Sequence, residues 1–208
     1  MESALTVTFG SRGPDGYRYD GKTDRQIVRD LMRADGHEDH HIDGLMEALV
    51  ERYLDGLREE LGSGEREAHL LPGVPALLDA LEARDDVVLG LLTGNIAAGA
   101  ALKLGAAGLD VSRFKVNAFG SDAEARPHLP GVAAARAREQ LGLHVEGDRM
   151  VIIGDTPADV ECGRALGARA IAVATGRYSV EELALHSPAA VFRDLSETAA
   201  VVEAVVRG

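Results

Sequence analysis

The stretch Met150-Val-Ile-Ile-Gly-Asp-Thr-Pro-Ala-Asp159 decides the fold, because it predicts a buried strand that runs directly into a helix. Thr156 is placed to cap that helix, Pro157 suits its first position, and Asp159 completes a capping box. Capping does not explain Asp155, a carboxylate that closes the strand and costs several kcal/mol if it is buried without a partner. A hard, oxygen-binding cation such as Mg²⁺ is the natural partner for Asp155.

The rest of the chain divides into two parts. Helical stripes dominate residues 1–70, although residues 4–9 fit either a short strand or a helix that ends at Gly10. From residue 71 onward, short apolar runs alternate with helices, which predicts parallel strands buried on both faces. The predicted fold is therefore α/β, with a Rossmann-like parallel sheet core at 71–208 and a small helical domain at 1–70. The predicted strands are 87–92, 115–119, 150–153, 168–173 and 190–192.

Composition excludes several classes of protein. The formal net charge of −12 over 208 residues argues against nucleic acid as a partner, because binding the phosphate backbone needs a basic surface. No run approaches the ~18 apolar residues of a membrane span. The single cysteine, Cys162, rules out an internal disulfide framework and fits a cytoplasmic protein, and we expect it to be a packing residue on its helix.

A second strand end resembles the first in layout. Thr93-Gly94-Asn95 follows an apolar run and precedes a helix, so Asn95 can simply cap that helix. Alternatively, the Thr93 hydroxyl and the amides of Gly94 and Asn95 hold an anion at the helix N-terminus. Parallel strands bring this turn and Asp155 to the same edge of the sheet, which favours the second alternative.

An anion site in an acidic protein needs a local cation. Arg126, between the predicted strand 115–119 and the helix that follows it, is the best placed, and Lys103 and Lys115 are alternatives. Lys103 lies within a helix, and we expect it to point to solvent. The match of residues 37–41 to the zinc motif H-E-x-x-H is literal, but Gly36 and the flanking aspartates favour an interhelical loop rather than a continuous zinc-binding helix.

Together these residues resemble the haloacid-dehalogenase (HAD) superfamily, in particular its phosphoglycolate-phosphatase-like branch with a helical cap. The resemblance rests on five segments in order: Gly21–Asp24 and Leu71–Val74 at the cap boundaries, Leu92–Asn95, Arg126–Pro127, and Gly154–Asp155 with Asp159. It implies that residues 1–70 are the cap and that Thr93 and Arg126 are catalytic. It further implies that Thr93, Gly94, Asn95 and Arg126 bind the substrate phosphate and that Asp155 and Asp159 hold Mg²⁺.

One family motif is missing from the 208 residues. HAD enzymes carry Asp-x-Asp-x-Thr after their first strand, which supplies the nucleophile that becomes aspartyl-phosphate, and no such pattern occurs here. We interpret Met1–Phe9 as the end of the first cap helix, so the chain would begin after the catalytic loop. The missing strand lies between the strands ending at Thr93 and Asp155 in this family. The sheet is therefore expected to have a gap with unpaired backbone groups.

The resemblance implies a Mg²⁺-dependent phosphatase that acts on a small phosphorylated metabolite, either monomeric or homodimeric. Without its nucleophile the chain as given is expected to be inactive, and the main alternative is a non-catalytic protein that binds a phospho-ligand, or a truncated gene product. A phosphoacceptor receiver domain is disfavoured, because no acidic pair closes an early strand. A dinucleotide-binding domain is disfavoured because no G-x-G-x-x-G follows any strand.

Overall fold

The computed structural model describes residues 1–64 and 68–207. In residues 1–64 all the regular secondary structure is helical. Its helices are α1 (Glu2–Phe9), α2 (Asp24–Ala34) and α3 (Asp39–Gly62). Residues 4–9 are thus helical rather than extended, and α1 ends at Gly10, whose φ of 79° is the left-handed conformation that favours glycine.

The three front helices bury a common apolar core. The placing of Thr23 three residues before Gln26 predicts a helix cap, and Thr23 caps α2, since its side chain accepts a hydrogen bond from the Gln26 amide. The fully buried side chains of this core come from all three helices: Leu5, Leu31, Met32 and Ile42. Ile96, from the following part of the chain, belongs to the same core. The predicted boundary near residue 70 comes shortly after residues 65–67, which lie outside the described residues.

The rest of the chain alternates helices with strands. Its first half contains α4 (Val74–Glu82), β1 (Gly90–Thr93), α5 (Ala97–Ala106), β2 (Val116–Phe119) and α6 (Leu129–Leu141). Its second half contains β3 (Val151–Gly154), α7 (Pro157–Cys162), β4 (Arg169–Val173), α8 (Val180–Ala184), β5 (Ala190–Phe192) and α9 (Thr198–Val206). All strand pairs are parallel, so the predicted α/β fold with a parallel sheet is confirmed.

The strands form two sheets rather than one. β1 pairs with β2, and β3, β4 and β5 pair in that order. In the described part of the chain no strand joins β1 to β3, and a cavity of about 790 Å³ lies between them. The gap expected between the strands ending at Thr93 and Asp155 is therefore present.

Several element boundaries differ from the prediction. β1 begins at Gly90 instead of residue 87, because its pairing register starts at Gly90 and Val116 and a short 3₁₀ helix, Val111–Arg113, precedes β2. For the helix after Asp155 the sequence predicts an end near Leu166, whereas the helix ends at Cys162. A β-carbon at Gly163 would lie 2.4 Å from the Ile152 side chain, so this close approach ends the regular helix, and a 3₁₀ turn follows.

The H-E-x-x-H stretch is half loop and half helix, because α3 begins at Asp39. The interhelical loop predicted there is therefore shorter than expected. The rings of His37 and His41 stack at 5.3 Å, and the Phe9 ring packs edge-on against both. Within the described ranges, no helix is both long enough and apolar enough to cross a membrane.

Candidate active site at the carboxyl edge of the sheets

The turn after β1 is built on the Thr93 hydroxyl. Its oxygen accepts hydrogen bonds from the Asn95 backbone amide at 3.2 Å and from the Asn95 side-chain amide at 2.9 Å. Among the described residues the Thr93 hydroxyl makes no other hydrogen bond, so its hydrogen can be donated to a ligand. Thr93 thus combines a fixed position with a donor, as the anion-binding prediction requires.

Lys103 does not point to solvent, and that prediction is wrong. The Lys103 ammonium donates to the Asn95 side-chain oxygen at 2.5 Å and lies 5.9 Å from the centre of the Tyr53 ring. Lys103 lies about two turns into α5, and helical side chains lean toward the N-terminus, so the Lys103 side chain can reach back to the strand end. The cation at the turn after β1 is therefore Lys103, which the sequence offered only as an alternative to Arg126.

The N-terminus of α5 already holds a carboxylate from the same chain. The capping residue is Ile96 rather than Asn95, and its amide donates to Asp24 Oδ2 at 2.9 Å. Burial raises the pKa of Asp24, whereas the Ile96 amide and the charge of Lys103 lower it. Asp24 therefore occupies the end of the helix dipole that was expected to attract an external anion.

The segment Asp20–Asp24, which we call the crossing segment, spans the carboxyl edges of both sheets. The Asp24 amide donates to the Gly94 carbonyl at 2.8 Å, after β1. On the other side of the gap, Gly21 packs on the helix after β3, where an added β-carbon would lie 2.3 Å from that of Ala158. Asp20 pairs with Arg177, beyond β4, at 2.7 Å. This segment, which resembles a cap boundary in sequence, is thus also a structural part of the site.

Arg126 lies at this edge but binds a carboxylate. It occupies a short 3₁₀ helix, Arg126–His128, and its Nη2 donates to Asp159 Oδ1. The side chains are 13% and 8% exposed, so the pair is largely shielded from water. Arg126 Nε is buried and has no hydrogen-bond partner among the described residues. One donor of the predicted phosphate-binding arginine therefore remains uncommitted.

Both oxygens of Asp159 have partners within the protein. Oδ2 accepts from the amides of Asp155 and Thr156 at 3.1 and 3.0 Å and from the Thr156 hydroxyl at 2.8 Å. Oδ1 accepts from Arg126. The predicted capping box is confirmed. In this arrangement Asp159 is not free to ligate a metal ion, and its predicted metal role needs Arg126 to leave Oδ1.

Asp155 is half-buried and, among the described residues, has no ion-pair partner like that of Asp159. Burial raises the pKa of Asp155 and the charge of Asp159 raises it further, whereas a backbone hydrogen bond and the charge of Arg126 lower it. Gly176, after β4, approaches so closely that a β-carbon there would lie 2.1 Å from Asp155 Oδ2. Gly176 was not singled out from the sequence, and only the fold brings it to Asp155.

The donor chemistry at Asp155 suits Mg²⁺, because it is an oxygen-only carboxylate site. The described residues contain no group of three or more His, Cys, Asp or Glu side chains placed to hold an ion. Asp155 thus fits as one metal ligand, whereas Asp159 does not fit while it is paired with Arg126. Cys162 is buried, as expected for a packing residue, and its thiol lies 3.4 Å from the Asp159 carbonyl oxygen.

We expect Asp155→Asn to raise the thermal stability of the protein at pH 7. The pKa of Asp155 is raised above 3.8 in the folded state, so its ionised form destabilises the fold at neutral pH. The destabilisation is complete at pH values above the folded-state pKa of Asp155. It vanishes as the pH falls below 3.8, the value for the unfolded chain. Calorimetry should therefore show a higher Tm for the variant at pH 7 and a smaller difference near pH 4. In the control Asp86→Asn no increase is expected, because Arg84 lowers the pKa of that carboxyl. A lower Tm for Asp155→Asn at pH 7 would contradict the prediction.

Comparison with known proteins identifies the family. Residues 130–198 match a family profile described as HAD-hydrolase-like. A phosphoglycolate phosphatase from Rhodospirillum rubrum is 33% identical over 162 residues, which is 77% of this chain and 63% of that protein. The chain belongs to the HAD superfamily. It spans less than two thirds of this relative's length.

Solved HAD-fold structures agree with the architecture. A hydrolase from Pseudomonas syringae superposes with a TM-score of 0.65 at 21% identity, covering 89% of this chain and 80% of that one. A β-phosphoglucomutase from Clostridium difficile superposes with a TM-score of 0.65 at 15% identity, covering 89% and 78%. These similarities show the HAD fold for this chain.

Proposed function

We propose that the carboxyl edge binds the phosphoryl group of a small phosphate monoester, as part of a Mg²⁺-dependent phosphatase of the phosphoglycolate-phosphatase type. The observation that carries this proposal is the hydrogen-bonded set of Thr93, Asn95 and Lys103 at the end of β1. A hydroxyl donor next to an ammonium suits a phosphate oxygen, and charge-assisted hydrogen bonds of this kind are the strong ones. The relative from Rhodospirillum rubrum supports the phosphatase class.

Arg126 is the proposed second cation of the site. In the structure Arg126 neutralises Asp159. Its Nε has no hydrogen-bond partner among the described residues, so this donor is available to a ligand. A phosphoryl group bound at Thr93 would compete with Asp159 for this guanidinium, which binds phosphate oxygens well. The same exchange would release Asp159 Oδ1 to join Asp155 as a metal ligand. Mg²⁺ bound there supplies charge neutralisation for the transferring phosphoryl group.

Hydrolysis of a phosphate monoester needs a nucleophile. Two interpretations of this chain follow, a partial active site and a protein that only binds its ligand. The HAD resemblance implies attack by an aspartate, yet the 208 residues contain no Asp-x-Asp-x-Thr. We therefore assign to this chain the phosphate-binding and metal-binding half of the site, with little or no turnover by itself. The alternative is a protein that binds a phospho-ligand without catalysis. The absent motif favours both interpretations over a complete enzyme.

The helices of residues 1–70 are the proposed cap, which would close over a bound metabolite and exclude water. Arg29 of α2 supports this role, because it donates to Glu124 after β2 at 2.9 Å and so links the front helices to the sheet region. We further propose that the partner is a small phosphorylated metabolite rather than nucleic acid or membrane. We also propose that the protein is cytoplasmic and is a monomer or a homodimer.

We expect the 208-residue protein to bind 2-phosphoglycolate in the presence of Mg²⁺ but to release no phosphate from p-nitrophenyl phosphate above buffer. Thr93→Val removes the donating hydroxyl, and a hydrogen bond to a charged group contributes about 1.5–3 kcal/mol, so binding should weaken at least tenfold. Titration calorimetry measures the affinity and a phosphate-release assay measures turnover.

Thr6→Val is the matched control, because Thr6 lies on the exposed face of α1 and binds only its own helix, at the Glu2 carbonyl. It should leave the affinity unchanged. Equal affinities for Thr93→Val and the unmodified protein would exclude the proposed phosphate site. Mg²⁺-dependent phosphate release that Asp155→Asn abolishes would show instead that the 208 residues form a complete phosphatase.

A further inference from the structure

The loop between β2 and α6, residues 120–128, which we call the Arg126 loop, connects the two halves of the candidate site. At its start the Gly120 amide donates to the Asn95 carbonyl at 2.8 Å, beside the turn after β1. Near its end Arg126 binds Asp159 at the start of α7. The position of the Arg126 guanidinium therefore depends on what fixes this loop between the two points.

The buried hydrophilic side chains of the described residues converge on the Arg126 loop. Arg29 and Asp159 are 8% and 6% exposed, and Thr23 is fully buried with them. Each of the three binds Glu124 or Arg126. A hydrophilic group is costly to bury unless it is hydrogen-bonded, and a fully bonded buried network makes its surroundings rigid. Three such groups on one short stretch indicate that the loop is held in a single conformation.

Thr23 fixes the backbone of the loop at Glu124. Its hydroxyl donates to the Glu124 carbonyl at 2.5 Å, and the same oxygen accepts from the Gln26 amide at 3.1 Å. One side chain therefore serves both the cap of α2 and the Arg126 loop. The position of the loop thus follows the position of the first turn of α2.

Arg29 fixes the side chain of Glu124. Its Nε lies 2.9 Å from Glu124 Oε2 and 2.8 Å from Oε1. Its Nη2 donates to Asp43 of α3 at 2.5 Å. The Arg29 side chain is largely shielded from water, so its charge needs these carboxylates as partners. Arg29 therefore joins α2 and α3 to the Arg126 loop.

Glu124 is close enough along the chain to control Arg126. The short helical turn that carries Arg126 begins directly after Ala125, and the His128 amide donates to the Ala125 carbonyl at 3.0 Å. Leu129, which follows this turn, is fully buried. The turn is therefore fixed on both sides, so Arg126 can exchange one partner for another by side-chain rotation alone. If Glu124 were released, binding would also have to order the turn, which lowers affinity.

We propose that Arg29 is a positioning residue for Arg126: through Glu124 it fixes the turn that presents the Arg126 guanidinium to a phosphate oxygen. Arg29 itself makes no contact with the ligand. The effect on ligand affinity rests on the proposed function, whereas the effect on the turn does not. The front helices thereby contribute to the phosphate site through a residue outside it.

Nitrogen-15 relaxation measured by NMR tests the effect on the turn. A rigid backbone amide has an order parameter of ~0.85 and a flexible one a value below ~0.6. We expect the Arg126 amide to change from the first value to the second in Arg29→Met. Glu124→Ala removes the same link from its more exposed end and should have the same effect. An unchanged order parameter of Arg126 in both variants would overturn the proposal.

Arg33→Met is the matched control for Arg29→Met. Arg33 lies one turn after Arg29 on α2 and pairs with Asp39 at 2.7 Å. Its hydrogen bonds in the described ranges go to Asp39 and not to the Arg126 loop. The order parameter of Arg126 should therefore stay at the value of the unmodified protein. An equal loss of order in Arg33→Met would assign the effect to the charge of α2 in general and would overturn the proposal.

Titration calorimetry with 2-phosphoglycolate and Mg²⁺ tests the effect on affinity. Arg29→Met should weaken binding about threefold to tenfold, since ordering one flexible side chain on binding costs this much. In a second background Arg126→Met is combined with Asp159→Asn, so that no unpaired buried charge remains. Adding Arg29→Met there should change nothing, because the residue that Arg29 positions is gone.

The same fold-loss in both backgrounds would mean that the two effects are independent, and it would overturn the positioning role. Equal affinities for Thr93→Val and the unmodified protein, or no binding by the unmodified protein, would overturn the proposed function together with the ligand part of this inference. An unchanged order parameter of Arg126 with normal ligand binding would overturn this inference alone.

Discussion

Asp159→Ala should lower the free energy of unfolding by about 3–5 kcal/mol, because it leaves the Arg126 guanidinium buried without its counter-charge. Asp159 is 6% exposed and accepts four hydrogen bonds, three of which close the turn between β3 and α7. The variant therefore loses the capping box in addition to the ion pair. Urea denaturation followed by circular dichroism measures the change.

Two further variants separate the charge from the cap. Asp159→Asn keeps a hydrogen-bond acceptor at the cap and should lose less stability than Asp159→Ala. Adding Arg126→Met to Asp159→Ala removes the uncompensated charge, and we expect it to restore about half of the loss, since apolar replacement of a buried pair is often neutral. A loss below ~1 kcal/mol for Asp159→Ala would show that water reaches Arg126 and that the pair is not shielded.

We expect Gly94→Ala to cost about 3 kcal/mol, at the upper end of the range for overpacking. An added β-carbon would lie 2.2 Å from the Lys22 carbonyl oxygen, and backbone cannot move aside as a flexible side chain can. The change would push the crossing segment away from the end of β1. Thermal and urea unfolding both report the loss.

Gly105→Ala is the matched control for this variant. Gly105 lies in α5, the helix that follows Gly94, and an added β-carbon there meets no atom within 4 Å. Replacing an exposed helical glycine with alanine stabilises by about 0.5–1 kcal/mol, so the two variants should change stability in opposite directions. A neutral Gly94→Ala would mean that the crossing segment is not held against β1.

The sequence predicts those parts of the fold that depend on neighbouring residues. The caps at Thr23, Thr156 and Ser179 connect residues three apart, a spacing visible in the sequence, and each makes its side-chain hydrogen bond. The alternation of apolar runs with helices predicts parallel strands, and these are confirmed. Such features are readable because propensity, periodicity and capping act over one or two helical turns.

The hydrogen-bond and ion-pair partners of the site residues could not be predicted from such local patterns. The sequence places Arg126 and Asp159 at one edge of the sheet, but it does not indicate that they bind each other across 33 residues. Asp24 was noted only as part of a cap boundary, although it holds the first amide of α5. Lys103 could have been predicted, because it lies about two turns into the helix that follows Asn95 and helical side chains lean toward the N-terminus. Choices among distant partners depend on how the elements pack, which local patterns do not encode.

The crossing segment also affects the order in which the molecule can assemble. Its contacts close long loops, with sequence separations of 72 residues from Asp24 to Ile96, 101 from Thr23 to Glu124 and 157 from Asp20 to Arg177. Closing loops of this length costs conformational entropy before any contact compensates for it, and such non-local contacts slow folding. The two sheets, whose strand ladders link residues much closer in sequence, can form first as separate cooperative units. The candidate site is then completed late in folding, when the crossing segment joins the two sheets.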